Sequence, residues 1–116
     1  MHFVLLIRHD ETIDSLTQEQ SRALTAECLA YDNRLRDAGA LILAHALRAP
    51  LTAKSVRYRR KPVITDGPFA ETKEQLIGLM VIEARDEAEA LEIAAASPLA
   101  RTGVIEVRGA YDIADQ

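Results

Sequence analysis

An aspartate, Asp66, opens the polar half of the run TDGPFAETKE, Thr65 to Glu74, which separates two apolar segments. A carboxylate in a partly closed pocket has its pKa raised toward the range useful to a general base. Asp66 is therefore the first candidate for proton abstraction. Followed by Gly67 and Pro68, the same residue also suits a turn. A short carboxylate bonds nearby backbone amides, and glycine before proline extends freely. What the Asp66 carboxylate touches separates the two readings.

Histidine is the second group that exchanges protons near neutral pH. On a strand, His45 shares a face with Leu41, Leu43 and Leu47, so it is either a satisfied core histidine or an acid-base partner in a pocket. His9 and Asp10 are adjacent, and adjacent strand side chains point to opposite faces, so His9 would need a more distant carboxylate. Arg8 ends one strand-like run, and Glu106 and Arg108 end another on a shared face. Arg8 and Arg108 are candidates to hold substrate charge. Phe69 is a core plug or a ligand platform. Glu71 and Lys73 point the same way if their segment is extended, as a surface ion pair or as ligand contacts. The basic run RYRRK, Arg57 to Lys61, reads as a hydrated hairpin tip that discourages edge pairing. Cys28 reads as a small buried hydrophobe. No zinc motif, phosphate-binding glycine loop or Ser-His-Asp spacing occurs, and no cofactor site is visible.

A chain of 116 residues must hold these groups on one domain. Its core is aliphatic, with no Trp and two Phe. The formal charge of −4 argues against general nucleic-acid binding, which needs a basic face. One cysteine excludes an internal disulfide and fits a reducing compartment. The apolar start lacks the features of a signal peptide, and no run is long enough to span a bilayer. A cytoplasmic protein without membrane contact is expected.

The pattern predicts β-α-β, a hairpin, then β-α-β. FVLLI, Phe3 to Ile7, reads as a strand. Thr17 and Gln20 form a capping box before a helix whose stripe is Leu24, Cys28, Tyr31 and Leu35, with Gly39 as its stop. ALILAHAL is a second strand, SVRYRRKPVIT a hairpin, and QLIGLMVIEA a long apolar strand. Asp86 and Glu89 cap a second helix with the stripe Ala88, Leu91 and Ala95, and GVIEVRG closes the sheet. This is a ferredoxin-like α+β pattern with an added hairpin. The strands FVLLI, LILA and LMVI are apolar at consecutive positions, which predicts burial on both faces. Two helices cover one face, so a second copy is expected on the other, giving a homodimer with sheets face to face. A small-molecule pocket is expected between them.

The segments LLIRHDE, AGALILAHAL, TDGPFAETKEQLIGLMVIEA and GVIEVRG, in this order, resemble the DGPF branch of the YCII-related family. The resemblance covers nearly the whole chain. It implies a dimeric α/β-barrel assembly of ferredoxin-like subunits. Asp66, Gly67, Pro68, Phe69, Glu71, Thr72 and Lys73 match the branch's loop. Asp10 and Glu11 match a Gly-Asp-Glu after the first strand, with His9 in place of the glycine. Related members are thought to use a His-Asp pair, and one acts in breakdown of a chlorinated aromatic compound. In those proteins the histidine lies on the first helix and the aspartate just after the second. Here the first helix has no histidine, and Ser97-Pro98 stands where Asp-Pro is usual, so that pair does not carry over. The resemblance implies either an acid-base enzyme, performing elimination, isomerisation or hydrolysis of a small organic compound, or a non-catalytic ligand-binding or regulatory module. Some DGPF proteins are encoded beside sigma factors, which would give the module its setting.

Overall fold

The computed structural model describes residues 1–9, 13–69 and 74–115. Asp10, Glu11, Glu71 and Lys73, singled out above, lie outside the described residues. The strands are β1 (His2–His9), β2 (Leu41–Ala46), β3 (Lys54–Arg59), β4 (Lys61–Asp66), β5 (Gln75–Glu83) and β6 (Gly103–Gly109). The helices are α1 (Gln18–Asp37) and α2 (Glu87–Ala95). Strands β2, β5, β1 and β6 form a four-stranded sheet in that order, with every neighbouring pair antiparallel. The hairpin β3–β4 is a separate two-stranded sheet. The fold is α+β, with the split β-α-β arrangement expected from the sequence. Among the described residues, no helix is long and apolar enough to cross a membrane.

Local signals set the helix ends. The Thr17 hydroxyl accepts from the Gln20 amide at 3.1 Å, and the Gln20 side chain accepts from the Thr17 amide at 2.9 Å. Two amides that α1 leaves without intrahelical partners are thereby satisfied. Gly39, at φ 77°, ends the helix in a conformation that costs other residues energy. Asp86 caps α2 by accepting from the Glu89 amide.

Both helices lie on one face of the sheet. Leu5 and Ile82 are fully buried there, among Phe3, Ile7, Met80 and Tyr31. The α2 stripe differs from the expectation. Ala90 and Ala94 are buried, with Ile93 beside them, while Leu91 is 49% exposed. In an alanine-rich helix several phases look equally apolar. The phase adopted puts small residues against the sheet and lets the helix pack closely.

Among the described residues, no helix covers the opposite face of the sheet. Val4, Leu6, Leu79 and Val81 are half-buried on it, and Leu43 is exposed. Burial of LILA on both faces is therefore not observed within the chain, because β2 is an edge strand. Among the described elements, the hairpin makes only sparse contacts outside its own two strands. The radius of gyration is 16.1 Å, against the roughly 13 Å of a compact chain of this length.

Candidate functional site

Small residues hollow one end of the covered face. Ala44 packs against the core, and Ala46 lies two residues on, so both point inward. Ala46 is paired with Gly78, which is also paired with the buried Ile7. A Cβ on Gly78 would sit 3.1 Å from the His45 carbonyl oxygen. The missing side-chain volume leaves a cavity of about 200 Å³ between β2, β5, α1 and the 3-10 turn Pro98–Arg101. Its walls are mostly apolar, including Ile7, Ile77, Met80 and Leu99. The polar side chains on its lining are Cys28, Tyr31 and Asp32 from α1, and Ser97 after α2.

Each polar group has a distinct state. The Tyr31 hydroxyl donates to the Ile93 carbonyl at 2.5 Å. Ile93 lies in the last turn of α2, where carbonyls lack helical partners, so Tyr31 ties the two helices together. Burial, reinforced by the Asp32 charge, pushes its pKa up to about 12. Burial also raises the Cys28 thiol, with further push from Asp32 and Glu27. A raised pKa keeps this sulfur a neutral thiol at neutral pH, which makes it a poor nucleophile. The buried Ser97 accepts the Leu99 amide on Oγ at 3.2 Å and caps the 3-10 turn. Asp32 is half-buried, and its pKa is raised by burial and lowered in part by Arg36. Asp32 is thus the cavity group best suited to exchange a proton. Among the described residues, no lysine or arginine lines the cavity.

The sequence-derived candidates fall in three places. Asp66 is 87% exposed, and its carboxylate is paired with Lys54 across the base of the hairpin. The structure does not bring it to a histidine. Phe69 is 79% exposed rather than a core plug, with the Arg57 guanidinium 5.0 Å from its ring centre. His45 alternates with the inward Ala44, so its main chain lines the cavity while its imidazole faces the open side, paired in register with Leu79. It does not share that face with Leu41, which packs on the core. An irregularity between Leu41 and Leu43 resets the alternation. Arg8, Glu106 and Arg108 join His45 on the open face, with Arg8 Nε 4.0 Å from Glu106 Oε1. His9 lies at the end of β1 with its Nδ1 buried and, among the described residues, without a hydrogen-bond partner. The open face thus gathers His45, Arg8 and Arg108, whereas Asp66 ends the hairpin and Phe69 lies three residues beyond it.

Sequence reasoning passed over Asp32. The residue adjoins Tyr31 on the expected α1 stripe and follows Cys28 by one turn. A carboxylate beside an inward stripe, facing strands of small residues, was the available signal.

Comparison with known proteins agrees with this architecture. The YCII-related domain matches residues 1–113. An uncharacterised protein of Rhizobium meliloti (strain 1021) is 32% identical over 114 residues, covering 93% of this chain and 90% of the relative. A solved structure of 5-chloro-2-hydroxyhydroquinone dehydrochlorinase (TftG) from Burkholderia phenoliruptrix AC1100, in complex with 2,5-dihydroxybenzoquinone, has a similar fold. The TM-score is 0.58 at 12% identity, covering 96% of this chain and 94% of the other. The family match along almost the whole length, together with the bacterial relative, shows that the chain belongs to the YCII-related domain family.

Proposed function

We propose that the protein binds a small, neutral, hydroxylated ring compound in the cavity beneath α1 and acts on it by acid-base chemistry. The observation that carries this reading is Asp32, a half-buried carboxylate with a raised pKa on the wall of a small apolar cavity. A volume of about 200 Å³ lies below the roughly 300–1,000 Å³ of drug-sized sites and suits a single ring. An anionic ligand would find no cationic partner on the described lining. A hydroxyl group would find the Asp32 carboxylate as acceptor. Ser97, whose Oγ already accepts an amide, has its hydroxyl hydrogen left to donate. Taking a proton from a ring hydroxyl and returning one to a ring carbon is a keto–enol isomerisation, and the same deprotonation completes an elimination when a leaving group such as chloride departs with its bonding pair. The fold likeness to a dehydrochlorinase solved with a dihydroxybenzoquinone supports this choice of ligand class. A protein that binds the same ligand without turning it over would be the regulatory module instead.

Filling the cavity tests the location. Ala46 is exposed at the mouth, so a larger side chain there adds bulk without overpacking the core. Ala46→Leu is expected to weaken hydroquinone binding at least tenfold in a calorimetric or NMR titration while leaving the melting temperature within about 2 °C of wild type. Unchanged affinity would place the ligand elsewhere.

We also propose that two copies stack their open sheet faces. The half-buried Val4, Leu6, Leu79 and Val81 support this, since a contiguous apolar face on a soluble chain marks an interaction surface. Stacking would enclose His45, Arg8 and Arg108 and remove water from around them. The cavity beneath α1 holds the primary site in this reading because a single chain forms it.

A further inference from the structure

The hairpin β3–β4 is amphipathic in a way that its position does not explain. Val56 pairs with Ile64 and Tyr58 with Pro62, so these four side chains share one face. Val56 is 66% and Ile64 67% exposed. The other face carries Arg57, Arg59 and Lys61, with Val63 opposite Arg57. An isolated two-stranded hairpin is marginal in water and needs packing on one side. This one has an apolar side that stays largely exposed among the described residues.

We infer that the hairpin is an arm that lays its Val56–Tyr58–Pro62–Ile64 face on the body of a second copy of the chain, each subunit clasping the other. The inference rests on the dimer proposed above and extends it to a second contact. Charge selects the partner. Residues 54–66 hold five basic side chains and one acidic, Asp66, in a chain whose formal charge is −4. The body is therefore strongly acidic, and a second copy offers the opposite charge to the arm. The basic side chains lie on the arm's other face and at its turn, so this attraction acts across and around the arm as steering, in addition to burial of the apolar face, and added salt weakens it. The Lys54–Asp66 pair at the arm's base neutralises the two charges that flank its apolar face.

The test is the dimer dissociation constant of the full chain by analytical ultracentrifugation, at low and high salt. The double variant Val56→Asp/Ile64→Asp changes only exposed side chains, so the monomer keeps its fold. It is expected to weaken association at least 100-fold, because the loss is repeated at two symmetric arms. Leu91→Asp, on an exposed position of α2, is expected to leave the constant unchanged. Leu43→Asp reads the stacked sheets separately. If Leu43→Asp dissociates the dimer and the arm variant does not, the arm inference falls and stacking stands. If only the arm variant dissociates it, the arm stands and stacking falls. A wild type that is monomeric at 100 µM overturns both.

Discussion

Asp32→Asn is expected to reduce affinity for hydroquinone about 10- to 100-fold, the range for losing a hydrogen bond to a charged acceptor. Any turnover should fall by about 10²-fold or more, the usual contribution of a positioned acid-base group. The fold should not suffer. Because burial raises the Asp32 pKa, the folded state holds its proton to higher pH than the unfolded chain does. Its contribution is fully present below the unfolded pKa and is lost as pH rises through the folded value. At neutral pH the wild-type carboxylate is therefore a small liability, which the amide removes. The variant should melt at or slightly above the wild-type temperature and show a flatter dependence of stability on pH through the acid range. Affinity in the wild type should fall as pH drops through the Asp32 pKa, because the protonated acid is a poorer acceptor. A variant that loses stability and keeps its affinity would assign Asp32 a structural role. Lost turnover with retained binding would make Asp32 the proton carrier alone. Wild-type binding without turnover would favour the regulatory module.

Gly103→Ala is expected to be the most damaging single-methyl change in the chain. Gly103 opens β6 opposite His9 at the end of β1. A Cβ there would lie 2.0 Å from the Arg8 carbonyl oxygen and 2.7 Å from the His9 Cα. Both obstacles are backbone, so no side chain can rotate away. Relief requires separating β6 from the central strand, at a cost of about 3 kcal/mol or more. For a domain of this size that corresponds to a loss of roughly 10 °C or more in melting temperature. The clash is confined to the end of the sheet that carries Arg8 and His9, so amide exchange should accelerate first at Val104 and Ile105. A thermal melt within 2 °C of wild type would contradict the close approach.

Much of the fold was legible because its signals are local. Thr17 with Gln20, Asp86 before α2, and Gly39 after α1 each act within one turn, and each appears in the structure as expected. The hairpin turn at Arg60, at φ 65°, likewise falls within the basic run. The site was less legible because it depends on register and depth. Asp66 suited both a pocket base and a turn, and within one chain it lies exposed at the end of β4, paired with Lys54. His45 was expected beside Leu41, and one strand irregularity put the two on opposite faces. The cavity arises where Ala44, Ala46 and Gly78 meet α1, and no segment of sequence contains both sides of it. The α2 stripe failed for a simpler reason, since alanine at most positions leaves the helical phase undetermined.

In the proposed function, the cavity beneath α1 receives a small hydroxylated ring against Asp32. Its most direct test is a crystal of the full chain soaked with hydroquinone. A ring is expected between α1 and the β2–β5 edge, near Ala46 and Gly78, with one hydroxyl within about 3 Å of the Asp32 carboxylate. A ring bound only on the open sheet face beside His45 and Leu79, with the cavity beneath α1 empty, would contradict it.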